Sequence, residues 1–498
     1  MCRPEYPGAG FAIGLTHRDN KKNIEDHRML FNTPLFLGFF ALFFVLYFFV
    51  FTRAHVRALF LVVASLIFYA GWDYRFVPLL LFSGVVDFFV AQQIESHTRQ
   101  RQRKQWLLVS IAVNLGILGI FKYSNFMIGS VQETLSFFGM PVSLGTLEVV
   151  LPVGISFYTF QSMSYTIDVY RGETKARKNF IPFFATLSFF PQLVAGPILR
   201  ARQILPQIER FPQVTPEDVK FGFVLITMGL FKKTIADLLA APAQTLFNGD
   251  GPLSWIETVT GVLAFAGQIY GDFSGYSDIA IGIALLLGIK IPLNFNTPYF
   301  ALSPVDFWKR WHISLSSWLR DYLYISLGGN RNGKQIRNVF ITMLLGGLWH
   351  GAAWTFVWWG AYHGTIISIT HMLRGTRLGQ WLNGINLSAF RWLQWLFTFY
   401  LVCIGWVFFR ADNLGDAFNI IAALHNPVSG IEAQPYAGGL LAMVALVILL
   451  IHCIDYGIVQ GRELITRRYT RFVPLMILGL TFTFLIGEPG HEFIYFQF

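Results

Sequence analysis

The chain has 498 residues, of which 54% are hydrophobic, 17% aromatic and only 13% charged. Soluble globular proteins carry about a quarter charged residues, so this composition excludes an ordinary soluble domain and predicts a protein that crosses a membrane several times. The formal net charge of +10 is not a nucleic-acid signal here, because membrane proteins concentrate Lys and Arg in cytoplasmic loops.

Residues 1–28 are polar and of mixed charge, ending Lys21-Lys22-Asn23-Ile24-Glu25-Asp26-His27-Arg28. They lack the apolar core and cleavage site of a signal peptide. Two readings stand: a disordered tail, or an upstream extension ahead of a natural start at Met29. No charge occurs from Leu30 to Phe51, enough to span a bilayer at ~20 apolar residues. Further apolar runs follow at 57–71, 76–93, 106–122, 149–170, 181–197, 218–239, 254–271, 275–291, 338–350, 353–370, 391–409, 437–456 and 472–487. Runs 181–197 and 338–350 are short, and Phe190-Pro191 and Ala195-Gly196-Pro197 break the former. Such segments occur where backbone lines a cavity instead of facing lipid. Only helices or closed barrels satisfy their backbone in lipid, and runs this long are helical. The expected fold is therefore an all-α polytopic membrane protein. Its parts are an extension (1–28), a transmembrane domain (29–487) and an aromatic tail (488–498).

Basic residues set the orientation. Arg53 and Arg57 follow the first run, Arg99 to Lys104 the third, and Arg171 to Lys178 the fifth, whereas the loops near Asp73 and from Lys122 to Val150 are poor in Lys and Arg. Basic loops lie inside. Continued along the chain, this places Arg331, Lys334, Arg391 and Arg462 inside and the C-terminus, GEPGHEFIYFQF, outside.

The stretch from Asp306 to His363 is the most unusual. Two histidines, His312 and His350, each follow a tryptophan. His350 lies 12 residues past Asn338 in an almost chargeless segment, ~18 Å deep if helical. Ionisable groups at that depth default to function, and a neutral imidazole there suits a general base. The alternative is a structural histidine bonded to helix backbone. His312 follows Lys309-Arg310-Trp311 in an amphipathic stretch suited to lying at, or re-entering from, the interface. It is a second acid/base or an orienting group, or else an interfacial aromatic-belt histidine. In QIYGDFSGYSDIAIG, Asp272 and Asp278 either line a polar tunnel or cap a helix beginning near Ser277. Cys2, Cys403 and Cys453 lie far apart, giving neither a disulfide framework nor a metal site. Phosphate-loop, zinc-helix and nucleophile-elbow motifs are absent.

These motifs also carry a resemblance. QIYGDFSGYSDIAIG, NFNTPY, DFWKRWHISLSSWLRDYLYISLGGNR and GGLWHGAAWTFVWWGAYHG, with LPVGISFYTFQSMSYTIDVYRG, FPQLVAGPI and MLFNTPLFLGFF, make the chain from Met29 onward similar to membrane-bound O-acyltransferases (MBOAT) of the bacterial alginate O-acetylation branch. The resemblance implies a multi-helix bundle with short and re-entrant helices around a central tunnel. It implies His350 as the catalytic histidine and His312 as the second signature histidine. Acetyl-CoA would be the cytoplasmic donor substrate, with no resident cofactor or metal. By their own chemistry Lys309, Arg310 and Arg331 at the cytoplasmic mouth would hold its phosphates, as Lys and Arg commonly do; the alternative is the ordinary excess of positive charge on cytoplasmic loops. The acetyl group would pass to a periplasmic or surface SGNH-hydrolase-like partner, and thence to an extracytoplasmic polysaccharide such as alginate, peptidoglycan or cellulose. The setting would be the bacterial inner membrane. The tail HEFIYFQF resembles the aromatic-tyrosine tail of a small partner in the teichoic-acid branch, which makes Tyr495 a candidate acyl carrier; the alternative is an interfacial anchor. A transporter or lipid flippase would also explain the helices and intramembrane Asp residues. Transporters often show repeated halves, and none is found here. Acylation of a lipid or protein by the same fold is a third reading.

Overall fold

The computed structural model describes residues 29–498 except 148, 194–195, 211–212, 250, 252–253, 378, 380, 382–384, 386, 429–431, 488–492 and 495–498. Among the described residues all regular structure is helical. Five stretches are long and apolar enough to cross a membrane: Ala54–Ser96, Gln100–Phe137, Ser388–Arg410, Ala437–Arg467 and Tyr469–Ile486.

The first helix, α1 (Pro34–Val45), starts where Thr33 caps the Phe36 amide and Pro34 fixes the first turn. Helices α2 (Ala54–Asp73) and α3 (Val77–Ser96) are joined by a single 3-10 turn. Next, α4 (Gln100–Leu118) runs through a π-turn, Gly119–Tyr123, into α5 (Ser124–Phe137). This differs from the sequence reading, which ended the span at residue 122. Asn125, Gln132 and Glu133 lower the hydropathy of the continuation without breaking the helix.

After α6 (Ile155–Arg171) come the short α7 (Phe180–Leu187), one turn at Phe190–Leu193, and α8 (Ala201–Arg210). The described part of the apolar run 181–197 is thus a broken, buried segment, consistent with its Pro and Gly residues. Helix α6 packs on α3 and α4 around Asp87, a fully buried carboxylate that accepts from Ser110 (2.6 Å), Asn114 (2.8 Å) and Ser162.

The centre is formed by α9 (Pro216–Phe247) and α10 (Trp255–Leu286), 32 residues each. The sequence reading split α10 at residues 271–275 into two spans; it is one helix, opened by a Ser254/Glu257 capping box. Its glycines serve close approach. A Cβ on Gly275 would lie 2.7 Å from Gly229 O, and one on Gly282 would lie 2.6 Å from Gly222 O. Small residues let membrane helices pack backbone to backbone. Asp272 and Asp278 therefore sit inside α10, and neither caps a helix near Ser277.

Two short helices, α11 (Pro304–Arg310) and α12 (Ile313–Trp318), lead through a π-turn, Leu319–Tyr324, to α13 (Gln335–His350). The pair α13 and α14 (Trp354–Arg374) meets at Gly347 and Gly360, where a Cβ would strike the partner backbone at 2.3 and 2.5 Å. The chain closes with α15 (Ser388–Arg410), α16 (Leu414–Leu424), α17 (Ala437–Arg467) and α18 (Tyr469–Ile486).

Candidate active site

Helix α13 delivers His350 as its last residue, ~22 Å from Gln335 at the standard rise. The helix stops there because Gly351 turns extended beneath Phe356, whose ring would lie 2.0 Å from any Cβ. A helix end leaves its last carbonyls without intrahelical partners. Here the π-turn after α4 supplies them. Lys122 Nζ donates to Trp349 O and His350 O, both at 2.8 Å, and Tyr123 OH donates to Leu348 O at 2.7 Å. The His350 ring is edged by Trp349 and Trp359 at 5.0 Å and Phe409 at 5.3 Å. It lines a cavity of about 90 Å³ with Lys122, Trp349 and the segment Leu151–Phe157, which leads into the first turn of α6.

His312 lies across the Trp349 indole, 6.1 Å between ring centroids. It is fully buried between Phe157 and Phe273. The interfacial-belt reading of His312 is therefore overturned: Phe307, Trp311, His312 and Leu315 are buried by tertiary packing, while Lys309 at the end of α11 stays exposed. Its backbone is left-handed, φ 42°. Asn294 fixes its ring. Asn294 Oδ1 accepts from the Ser314 amide (3.2 Å), the Ser314 hydroxyl (2.8 Å) and His312 Nδ1 (3.1 Å). With Nδ1 donating, Nε2 is the acceptor of a neutral ring. His312 Nε2 and Trp349 Nε1 are buried with no hydrogen-bond partner among the described residues. Buried polar atoms are normally paired, and these two are exceptions beside His350.

An aromatic column leads away from His350. Trp349 neighbours Phe160 (5.4 Å), Phe160 stacks on Trp318 (3.7 Å), and Trp318 meets Tyr322 (5.1 Å). Tyr322 OH donates to Asp168 (2.7 Å), and the guanidiniums of Arg171 and Arg200 lie over its ring at 5.3 and 5.5 Å. Arg200 also pairs with Asp321 at 2.6 Å.

The other sequence candidates lie elsewhere. Lys309 and Arg331 are exposed, and Arg310 pairs with Asp306 at 3.0 Å. Among the described residues no hydrogen bond or ion pair joins these three. Asp278 pairs with Lys232 (2.6 Å), which also meets Asp455 (3.0 Å). Asp272 pairs with Lys233 (2.9 Å) and accepts the Ile494 amide (2.6 Å). Tyr495 is outside the described residues; Phe493 and Ile494, just before it, are buried, with Phe493 against Phe273 (5.5 Å) and Tyr276 (4.8 Å).

Sequence reasoning missed Lys122, Asn294, Lys232 and Lys233. Two adjacent lysines within an apolar run, and aspartates in the next, were a usable signal: intramembrane charges need partners. Asn294 and Lys122 offered no spacing rule.

Comparison with known proteins accords with this geometry. The MBOAT, membrane-bound O-acyltransferase family, model matches residues 174–411, which include His312 and His350. The chain is 44% identical over 400 residues to a probable alginate O-acetylase of Pseudomonas aeruginosa, covering 78% of this chain and 72% of that protein. It is 34% identical over 530 residues to a peptidoglycan O-acetyltransferase of Helicobacter pylori, covering 94% and 98%. It is 29% identical over 244 residues to a teichoic acid D-alanyltransferase of Streptococcus thermophilus, covering 45% and 58%. The transporter reading gives way to an enzyme. With its helical fold, its buried histidine pair and these relatives, the chain belongs to the membrane-bound O-acyltransferase family.

Proposed function

We propose that this O-acyltransferase moves an acetyl group from cytoplasmic acetyl-CoA through the inner membrane, for O-acetylation of an extracytoplasmic polysaccharide such as alginate or peptidoglycan. The observation that carries the reading is His350 at a helix end, buried in a small cavity from which an aromatic column runs to Arg171 and Arg200. Apolar rings suit a slender acyl-bearing arm, and guanidiniums suit phosphates. Lys309, Arg310 and Arg331 would add to a basic cytoplasmic rim. His350 acts as general base, and His312, its ring oriented by Asn294, offers Nε2 as a second acceptor.

Tyr495 is the proposed first acceptor, supported by the burial of Phe493 and Ile494, with Phe493 against Phe273, itself 4.7 Å from the His312 ring. His350 takes the phenolic proton and the phenolate oxygen attacks the thioester carbonyl. The carbon–sulfur bond breaks, and the departing thiolate takes the proton back from the imidazolium. A phenol, with a pKa of about 10, leaves more readily than a serine hydroxyl, so onward transfer is downhill. The next acceptor is an SGNH-hydrolase-like partner on the outer face, where the C-terminus would lie.

The test is mass spectrometry of purified protein in proteoliposomes given labelled acetyl-CoA. Label is expected on the terminal peptide, lost in Tyr495→Phe and reduced ~10²–10⁴-fold in rate in His350→Ala with folding unchanged. Wild-type labelling in His350→Ala overturns the site. Polysaccharide acetylation retained by Tyr495→Phe at normal protein level excludes the carrier.

A further inference from the structure

Lys122 stands on the side of the membrane that the basic-loop pattern leaves poor in cations. It is half-buried in a π-turn, a feature that often marks functional positions. Among the described residues no carboxylate lies within ion-pairing distance of it. Its partners are two neutral carbonyls, Trp349 O and His350 O. Capping a helix end does not need a charge: Tyr123, next in sequence, caps Leu348 O with a hydroxyl. Holding an ammonium away from water is costly unless something negative compensates. The cavity it lines with His350 is also lined by the first turn of α6, whose dipole favours negative charge in the same place. An ammonium has three donors, and two are committed to the carbonyls.

We propose that Lys122 serves acyl transfer twice over: it fixes the turn carrying His350, and its third N–H faces the oxyanion that forms when the acceptor oxygen adds to the thioester carbonyl. In that step the C=O electron pair moves onto oxygen as the new carbon–oxygen bond forms. The pair returns as the carbon–sulfur bond breaks and the thiolate leaves. The ammonium keeps its protons throughout, while the acceptor's proton travels by way of His350. This rests on the acyl-transfer reading of the His350 site.

The experiment measures kcat and KM for labelled acetyl-CoA in proteoliposomes for wild type, Lys122→Met, Lys122→Arg, Tyr123→Phe and His350→Ala. Removing one oxyanion donor lowers kcat ~10²–10³-fold, so Lys122→Met is expected to fall by that factor with KM changed less than threefold. Lys122→Arg is expected to recover at least tenfold of the loss. Tyr123→Phe, which removes a cap but no charge, is expected to stay within about tenfold of wild type. Lys122→Met within threefold of wild-type kcat overturns the proposal. So does a Tyr123→Phe loss equal to that of Lys122→Met, since capping alone then explains the effect. If Lys122→Met does not accumulate, Lys122→Gln keeps an N–H without the charge: a tenfold or larger kcat loss is expected, and wild-type kcat overturns. An inactive His350→Ala beside a fully active Lys122→Met removes only this inference; an active His350→Ala removes the site reading itself.

Discussion

A left-handed backbone costs a non-glycine residue roughly 1–2 kcal/mol, and His312 adopts one at φ 42°. Asn294 makes that position hold: its carboxamide oxygen gathers three donors from His312 and Ser314, and its amide donates to Ser277 on α10 at 3.1 Å. Replacing it with alanine removes the acceptor for His312 Nδ1, so the ring is free to turn and to exchange tautomers. A lost buried hydrogen bond costs ~1–3 kcal/mol, or about 5–150-fold in rate. Asn294→Ala is expected to lower kcat for acetyl transfer by that factor with KM for acetyl-CoA little changed. Single-turnover transfer of labelled acetyl measures it, and an unaltered kcat would show that His312 is oriented by other contacts. His350 was legible in the sequence because a titratable ring in an apolar run is out of place; His312, in an amphipathic stretch after Lys309-Arg310, stood out only by its Trp-His pairing and the family resemblance. Asn294 was not, although it lies in the NFNTPY motif. An amide 18 residues before its histidine obeys no periodicity, and only the tertiary fold brings the two together.

At the scale of elements, hydropathy located most helices, but polar and small residues misled it in both directions. It stopped the continuous run of α4, π-turn and α5 early, at Lys122, and it cut α10 at Gly271 to Gly275. In α10, Gly271, Asp272 and Gly275 face α9, where backbone contact and an ion pair take the place of side-chain packing. The same logic separates glycines that serve contact from glycines that do not. A Cβ on Gly275 meets Gly229 O at 2.7 Å, whereas one on Gly116 in α4 meets nothing within 4 Å. Alanine at Gly116 gains the ordinary helix preference of up to ~1 kcal/mol. Alanine at Gly275 forces two 32-residue helices apart, an overpacking cost of ~1–3 kcal/mol. Opposite shifts of the unfolding midpoint in detergent are therefore expected for Gly116→Ala and Gly275→Ala. A Gly275→Ala variant as stable as wild type would show that the α9–α10 contact is looser than these distances require.

Across the whole molecule, one pair of adjacent lysines connects the membrane core to the chain's end. Lys232 faces α17 and holds Asp278 and Asp455, with Tyr270 OH on Asp455 at 2.5 Å. Lys233 faces the other way and holds Asp237 at 2.5 Å and Asp272 at 2.9 Å. Among the described residues it is the second cluster that reaches the tail, through the Ile494 amide on Asp272. A hydrogen bond to a charged group contributes ~1.5–3 kcal/mol, so losing it raises the population of an unseated tail about 10–100-fold. Asp272→Ala is therefore expected to expose the C-terminal residues to carboxypeptidase added from the outer face, and to lower acetyl transfer in step. Asp455→Asn perturbs the Lys232 cluster while leaving the tail's anchor intact, and is expected to keep the C-terminus protected. Equal trimming of both variants would mean that the tail answers to general loosening of the bundle. Protection of both would mean that Phe493, wedged between Phe273 and Tyr276, holds the tail without help from the carboxylate.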